Sequence, residues 1–298
     1  LNGFSHSGFS MFVHPEFDPI AISIGPVAIR WYGLMYLLPF VAFLMLAKRR
    51  LHLFPAIKMS DVDNMLTWAV LGVILGGRLG YVFFYKPDYY MANPGEILAI
   101  WEGGRLFHGG FLGVLLVCFI YGRYKDWKFF DVMDFVAPLI PAGLGFGRLG
   151  NYIGGELWGR STDGSWGVVF RDSLPAELAR LPVEQLRALH ESGALDRFAR
   201  HPSQLYQVAL EGLVMMAVLL VYSRRPRPRY AVSGLFALMY GSFRFLVEFV
   251  REPDAHLGYL AFGWFTMGQL LSLPLVALGL FWLWRSRRAP TLAPVAAG

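Results

Sequence analysis

Charged side chains recur at helical spacing inside one apolar segment in the second half of the chain. The stretch YGSFRFLVEFVREPD contains Tyr240, Arg244, Glu248 and Arg251. On a helix these positions fall within about 80° of one another and form one polar stripe. Two arginines and one glutamate leave an uncompensated positive charge, which suits a bound anion. The alternative is an ion pair between Arg244 and Glu248 that only neutralises itself.

A second group of polar residues ends an earlier apolar segment. The stretch GLGFGRLGNYIGGELWG contains Arg148, Asn151 and Glu156 among many glycines. Glycine lets helices pack closely, and it lets a bulky headgroup approach the backbone. The string GFGRLG matches a dinucleotide-binding pattern, yet no strand precedes it, so we expect no nucleotide site. Packing alone does not require Arg148 beside Asn151 and Glu156, which favours binding of a headgroup.

One histidine lies at the start of another apolar segment. His108, in RLFHGGFLG, is predicted at the same outer depth as Arg148 and Arg251. Histidine can act as a general base near neutral pH, whereas at a helix end it can also be purely structural. The sequence has no HExxH pattern, and Cys118 is its single cysteine. We therefore expect no metal site, no internal disulfide and no cofactor.

The elements that position these residues are predicted to be membrane-spanning helices. Of 298 residues, 55% are hydrophobic and only 16% are charged, which argues against a water-soluble globule. Seven apolar stretches approach the roughly 20 residues that cross a bilayer as a helix. They cover residues 28 to 47, 63 to 85, 106 to 123, 131 to 150, 203 to 223, 231 to 250 and 263 to 284. We predict an all-α polytopic membrane protein with seven transmembrane helices.

Four arginines fall inside or at the edge of these apolar stretches. They are Arg30, Arg78, Arg148 and Arg244. An arginine inside a membrane span costs at least about 2.5 kcal/mol by insertion scales. Each of them therefore needs a partner or a function.

Positive charge outside the apolar stretches is concentrated on one side of the membrane. Fourteen Lys and Arg follow the first, third, fifth and seventh stretches, against three in the short loops on the other side. This excess predicts an external N-terminus and a cytoplasmic C-terminus. It also accounts for the net charge of +6 without nucleic-acid binding.

The chain divides into one membrane domain and small additional segments. Residues 1–10 look unrelated to the rest and are read as an expression remnant or a leader. Residues 11–285 form the seven-span domain, and residues 286–298 form a cytoplasmic tail. Residues 151–203, between the fourth and fifth spans, are predicted to form a small external head. Its stretch LPAELARLPVEQLRALHESGALDRFAR has helical periodicity.

Ordered motifs along nearly the whole chain resemble one family of membrane enzymes, the prolipoprotein diacylglyceryl transferases. The matching stretches are HPEFDP, IRWYGLMY, GGRLGYVFFY, FHGG, APLIPAGLGFGRLGN, ELWGR, RHPSQLY, RPRP, AVSGLF, YGSFRFLVEFVREPD and MGQLLSLP. The resemblance implies seven spans in the bacterial inner membrane, with the N-terminus and the head in the periplasm. It implies transfer of the diacylglyceryl group from phosphatidylglycerol to the lipobox cysteine of a prolipoprotein signal peptide. A thioether would form, and glycerol 1-phosphate would leave.

The resemblance also implies roles for individual residues. The essential arginines of the family map to Arg148 and Arg244, and its essential histidine maps to His108. Residues that line or support the lipid site map to Tyr32, Asn151, Glu156, Tyr240, Glu248 and Arg251, and we add Arg78 from the second span as a further candidate for substrate binding.

Two other classes of function remain open from the sequence. A transporter or flippase for anionic lipid would use the same arginines as a transit site. A structural lipid-binding membrane protein would show neither turnover nor transit. In all three cases the partners are membrane lipids rather than nucleic acid.

Overall fold

A computed structural model describes residues 12–15, 17–25, 27–99, 107–253 and 258–291. The expected leader at residues 1–10 lies outside the described residues. The longer helices are α1 (Trp31–Arg50), α2 (Met59–Tyr85), α4 (Phe107–Tyr124), α6 (Ile140–Ile153), α11 (Ala231–Val247) and α12 (Met267–Ser286). The shorter ones are α3 (Pro87–Ala92), α5 (Phe129–Val136), α7 (Ala176–Ala179), α8 (Val183–Glu191), α9 (Ser203–Gln207) and α10 (Met215–Tyr222). The described chain is mostly helical.

Short strands modify the all-α expectation. Strands β2 (Ile20–Ile24) and β3 (Val27–Arg30) form an antiparallel hairpin before α1, and Gly25 at its turn has a φ of +58°. Strands β1 (Phe12–Val13) and β4 (Val168–Val169) pair in parallel. Because glycine adopts a positive φ without steric cost, the chain can reverse at Gly25. The first predicted span therefore starts at residue 31 rather than 28, since residues 27–30 belong to the hairpin.

Five helical stretches are long and apolar enough to cross a membrane. They are Trp31–Leu53, Met59–Phe84, Phe129–Ile153, Ser203–Tyr222 and Met267–Ser286. Two shorter apolar helical stretches, Gly109–Tyr124 and Ala231–Val247, match the third and sixth predicted spans. These helices make the chain a polytopic membrane protein by length and composition.

Two of these five stretches are not uniform α-helices. Between α5 and α6, residues Ala137–Leu139 form a 3₁₀ turn that contains Pro138, and Pro141 follows in α6. Proline lacks the N–H that an α-helix needs at interior positions, so the hydrogen-bond pattern changes there. Between α9 and α10, residues Val208–Val214 form a π-helical segment. Such wide turns often occur at functional positions.

The chain forms two compact units. The first consists of Leu1–Ala42, Ile140–Val221 and Gly234–Phe281, and the second of Phe43–Leu139, Tyr222–Ser233 and Trp282–Gly298. In the first unit, α6 packs against the π-helical segment, with Gly145 facing Gly212. In the second unit, α2 packs against α4 through glycines on both helices, among them Gly72 and Gly113.

Part of the segment after α6 has a small apolar core of its own. Its buried members are Val169, Leu174, Leu186, Leu195 and Ala199, and they pack with partly buried leucines of α7 and α8. The periodic stretch that predicted a helix forms these two helices, which are separated by residues 180–182. Backbone hydrogen bonds from Thr162 to Ala199 and from Val168 to Arg200 close the segment on itself.

Candidate active site

Arg148 lies on α6 with its guanidinium available for a ligand. Among the described residues it has no hydrogen-bond or ion-pair partner. The charged groups within electrostatic range of it include Glu211, Arg244 and Glu248. Arg148 and Arg244 therefore lie within range of each other's charge.

Arg244, on α11, is only partly satisfied by protein groups. Its Nη2 lies 3.1 Å from Glu248 Oε2, one helical turn later. Its Nη1 is buried and has no hydrogen-bond partner among the described residues. The ion pair between Arg244 and Glu248 that the sequence suggested is thus present. It nevertheless leaves one buried N–H group of Arg244 unused, and a buried donor without a partner is costly unless a ligand satisfies it.

Glu248 is held in place by the start of α12. Thr266 Oγ1 donates to Glu248 Oε1 at 3.1 Å, and Gly268 lies against the same carboxylate. A Cβ at Gly268 would lie 2.5 Å from Glu248 Cδ, so only glycine leaves room for this side chain. Glu248 acts here as a fixed anchor for arginines.

Arg251 reaches the cluster from outside the helix. Helix α11 ends at Val247, and Arg251 pairs as an isolated bridge with Gly159. Its Nε lies 3.7 Å from Glu248 Oε2. The helical stripe predicted from the sequence therefore extends only to Arg244 and Glu248, and Arg251 is positioned by a backbone contact instead.

Arg251 stays cationic at neutral pH. Burial and the nearby Arg244 charge lower the pKa of Arg251 to about 10, against an attraction from Glu248 that raises it. A pKa of about 10 is still far above neutral. Arg251 thus contributes a positive charge to the cluster under physiological conditions.

A tight backbone crossing fixes the segment that follows α6. Gly159 N–H donates to His201 O at 2.8 Å, and Arg160 N–H donates to Val250 O at 2.8 Å. A Cβ at Gly159 would lie 2.9 Å from both the Cβ and the carbonyl oxygen of His201. The Arg160 guanidinium donates to the carbonyl oxygens of Arg251 and Glu248 at 2.7 and 3.2 Å. Arg160, which the sequence analysis did not single out, ties this segment to the arginine cluster.

Asn151 and Glu156 form a local pair at the end of α6. Asn151 Nδ2 donates to Glu156 Oε1 at 2.8 Å, and Gln204 Nε2 donates to the backbone oxygen of Glu156 at 2.6 Å. Gly155 between them has a φ of +66°. The turn directs the exposed Glu156 back towards Asn151, so both predicted residues are brought together.

The two predicted tyrosines differ in their surroundings. Tyr32 is 73% exposed on α1, and its hydroxyl donates to that of Tyr36 at 3.1 Å. Tyr240 on α11 stacks on Phe236, with ring centroids 6.0 Å apart, and it interacts electrostatically with Arg148 and Arg244. Tyr240 therefore belongs to the arginine cluster, whereas Tyr32 is available to a lipid molecule alongside α1.

Arg78 and His108 belong to the second unit. Arg78 is 1% exposed on α2, and it donates to the backbone oxygens of Glu96 and Ile97 at 2.7 and 3.0 Å. These contacts give it a partner and stabilise the loop after α3. His108 lies in the first turn of α4, and its side chain is outside the described part of the structure. The predicted roles of both residues in substrate binding and catalysis stay predictions.

One buried acid of the cluster was not identified from the sequence. Glu211 lies in the π-helical segment, is fully buried, and acts electrostatically on Arg148, Tyr240 and Arg251. Its signal is present in the sequence as a single glutamate within the apolar stretch LYQVALEGLVMM. A charged residue in an intramembrane segment marks a functional position as readily as the arginines do.

The arrangement is suited to binding an anion rather than a metal ion. Arg244 Nη1 is buried without a hydrogen-bond partner among the described residues, and Arg148 is half-buried on α6, a setting in which charge-assisted hydrogen bonds to phosphate are strong. Within the described ranges, no group of three or more His, Cys, Asp or Glu could hold a metal ion. The geometry favours recognition of a phosphate group by two guanidiniums.

Comparisons with known proteins agree with this chemistry. Residues 19–285 match the family model described as prolipoprotein diacylglyceryl transferase. A phosphatidylglycerol–prolipoprotein diacylglyceryl transferase of Xanthomonas campestris pv. campestris (strain B100) is 59% identical over 280 residues, which cover 93% of this chain and 94% of the relative. Proteins of the same name from Xanthomonas axonopodis pv. citri (strain 306) and Xanthomonas oryzae pv. oryzae (strain PXO99A) are 58% and 56% identical over equal coverage.

Proposed function

The chain belongs to the prolipoprotein diacylglyceryl transferase family, and from this premise we propose how its residues carry out the transfer. The chain is a transferase of lipoprotein biosynthesis, with phosphatidylglycerol as donor and a prolipoprotein as acceptor. The acceptor group is the thiol of the lipobox cysteine. The products are a thioether-linked diacylglyceryl prolipoprotein and glycerol 1-phosphate. The observation that carries the proposal is the pair of arginines within electrostatic range of each other, Arg148 and Arg244, of which Arg244 keeps a buried Nη1 without a hydrogen-bond partner among the described residues.

The arginines stabilise the leaving group. The donor is a phosphodiester with one negative charge, and breaking its carbon–oxygen bond leaves an electron pair and a second charge on the phosphate. Two guanidiniums at a site of low dielectric constant strengthen their hydrogen bonds as this charge develops. Arg148 and Arg244 bind the phosphate, and Glu248 keeps Arg244 and Arg251 oriented towards it.

The acceptor thiol must lose a proton before it attacks. A cysteine thiol has a reference pKa near 8.5, and the thiolate is the nucleophile. In one route His108 takes this proton as a general base. In the other route the field of the arginines lowers the thiol pKa so that the thiol releases its proton to water, and His108 orients the headgroup. In both, the thiolate sulfur bonds to the glycerol carbon as that carbon separates from the phosphate oxygen.

The other predicted residues line the substrate site or support a loop of the protein. Tyr240 and Arg251 adjoin the phosphate, while Asn151 and Glu156 form the polar end of α6. Tyr32 offers an exposed aromatic hydroxyl to the lipid, and Arg78 supports the loop after α3.

The proposed placement is the bacterial inner membrane, with seven spans and a periplasmic head. Seven apolar helical stretches support the number of spans. The excess of Lys and Arg in alternate loops supports a periplasmic N-terminus and a cytoplasmic C-terminus. The small apolar core of residues 169–199 supports a folded head between the fourth and fifth spans.

One assay tests this function against the two alternatives. Purified protein in detergent is mixed with phosphatidylglycerol labelled in the diacylglyceryl group and with a lipobox peptide. We expect label attached to the peptide by a thioether, together with release of glycerol 1-phosphate. The transfer activity of the protein should survive prior chelation and dialysis. In a parallel sample with the protein reconstituted into vesicles, movement of intact labelled lipid between the two leaflets without labelled peptide would instead show a flippase. Absence of both would leave only a structural lipid-binding role.

A further inference from the structure

Glu211 is a buried carboxylate that the mechanism above does not use. It is 0% exposed in the π-helical segment, and Gln207 Nε2 donates to its Oε1 at 3.0 Å. Its Oε2 is buried without a hydrogen-bond partner among the described residues. An ionised carboxylate in such a place is costly unless positive charge compensates it. Glu211 must therefore be understood together with the arginines.

A glycine contact places the π-helical segment that carries Glu211 directly against the helix that carries Arg148. Gly212, the next residue after Glu211, faces Gly145 of α6, and a Cβ on Gly212 would lie 2.9 Å from Gly145 Cα. Arg148 lies three residues after Gly145, one turn further along the same face of α6. Glu211 and Arg244 both lie within electrostatic range of Arg148.

The charges of the cluster can be counted. By formal charge, the cluster contains three arginines, Arg148, Arg244 and Arg251, and two acids, Glu248, which pairs with Arg244 and Arg251, and the buried Glu211. The residual charge is one positive unit. At the edge of the cluster, Arg160 and the exposed Glu156 add one charge of each sign, so the balance is unchanged.

We propose that Glu211 determines charge specificity at this site, because it lowers the net charge of the arginine cluster to +1 and so favours a singly charged phosphodiester over a doubly charged phosphate monoester. The inference rests on the proposed function, in which the donor lipid is the diester and the released product is the monoester.

The physical reason lies in how desolvation and attraction scale with charge. The cost of moving an ion out of water rises with the square of its charge, whereas its attraction to a fixed site rises only in proportion. A site of charge +1 therefore matches the monoanionic donor and binds the dianionic product less well. Glutamate at position 211 thus promotes product release, because a site of charge +2 would retain the dianion.

Binding of two water-soluble phosphate esters tests this inference without the need for turnover. The probes are labelled glycerophosphoglycerol, a monoanion, and labelled glycerol 1-phosphate, a dianion at pH 8, each measured by equilibrium dialysis against purified protein in detergent. Glu211→Gln keeps the size of the side chain and an oxygen that can accept from Gln207. The substitution removes one negative charge and should raise the affinity for both probes. The fold-increase in affinity for the dianion should be about the square of the fold-increase for the monoanion. A threefold tightening of the monoanion would accompany about tenfold tightening of the dianion.

A matched control removes an acid of the same type outside the cluster. Glu252 is exposed and paired with Arg200, so Glu252→Gln should leave both affinities nearly unchanged. If Glu211→Gln changed the affinity for the two probes by the same factor, or weakened binding of both, the inference would be overturned.

The wild-type protein provides a test that does not depend on the folding of the variant. The monoanion should bind at least as tightly as the dianion at pH 8. Binding of the dianion more than ten times tighter would contradict a matched charge of +1. Failure of the transfer assay in wild type would overturn the proposed function, whereas these binding ratios decide the role of Glu211 separately.

Discussion

At the scale of single residues, the site depends on the shape of the guanidinium group as much as on its charge. Arg244 uses one nitrogen for Glu248 and keeps another, Nη1, buried and unused. A planar guanidinium can hold two oxygens of a phosphate at once, whereas the ammonium of lysine acts as a point charge. Substitutions that retain charge but change shape therefore test the assignment better than removal of charge.

Arg244→Lys should lower kcat by about 100-fold, the usual effect of losing a donor to a developing oxyanion. The measurement is the rate of thioether formation at saturating phosphatidylglycerol. Arg200→Lys is the control, because Arg200 pairs with the exposed Glu252 and should tolerate lysine with little change. Near-normal transfer by Arg244→Lys would refute the bidentate role.

His108→Gln tests the general base. If His108 takes the thiol proton, the rate should fall by about 100-fold near neutral pH, and part of it should return as the pH approaches the thiol pKa. The measurement is a rate profile between pH 6 and 9. Full rate over that whole range would remove His108 as the base and favour activation of the thiol by the arginines.

At the scale of elements, the site exists because helices approach one another at glycines. The contact between Gly145 and Gly212 joins α6 to the π-helical segment, and the contact of Gly268 with Glu248 joins α12 to the end of α11. A side chain at position 212 would meet the backbone of α6, and one at position 268 would displace the Glu248 carboxylate. The glycines therefore position charged groups in addition to packing helices.

Gly212→Ala should destabilise the protein by about 1–3 kcal/mol, because the added methyl group meets the backbone of α6. Displacement of Arg148 by about 1 Å should also lower transfer by about 100-fold. Melting temperature in detergent and transfer rate are the two readouts. Gly143→Ala is the matched control on α6, because its Cβ would make an ordinary contact of 3.9 Å with Pro39. Equal behaviour of the two variants would contradict a positioning role for the glycine contact.

At the scale of the whole molecule, the N-terminal segment is fastened to the first unit by a neutral histidine. His14 Nε2 lies 2.6 Å from the backbone oxygen of Tyr152, and its ring packs against Tyr152 and Phe170. Burial lowers the pKa of His14 below its ordinary value of 6.5, despite the opposing effect of that hydrogen bond and of Asp172. The fold therefore favours the neutral ring.

This shift predicts a loss of stability in acid. The stabilisation from neutral His14 is complete above about pH 6.5 and is lost as the pH falls below that value, because the unfolded chain then binds the proton more readily. The melting temperature of wild type should fall relative to that of His14→Phe between pH 8 and 5. A constant difference over this range would show that His14 does not titrate in the way proposed.

The sequence predicted where the helical stretches and the charged residues lie along the chain, but it predicted less well how these residues are arranged in space. Apolar length and charged positions identified the helical stretches and the residues Arg148, Arg244, Glu248 and Arg251. Periodicity alone placed Arg251 on a helical stripe, whereas the chain leaves the helix at Val247 and a backbone contact with Gly159 holds Arg251. That contact, like the one between Gly145 and Gly212, depends on segments distant in sequence, which a local pattern does not encode.

A double-mutant cycle tests most directly whether Arg148 and Arg244 act on one phosphate. The values of kcat/KM are compared for wild type, Arg148→Lys, Arg244→Lys and the double variant. If both guanidiniums hold the same leaving group, the losses will be strongly non-additive, and the double variant will be little slower than either single variant. Independent losses that multiply in the double variant would show that the two arginines serve separate ligands, and the account would be wrong.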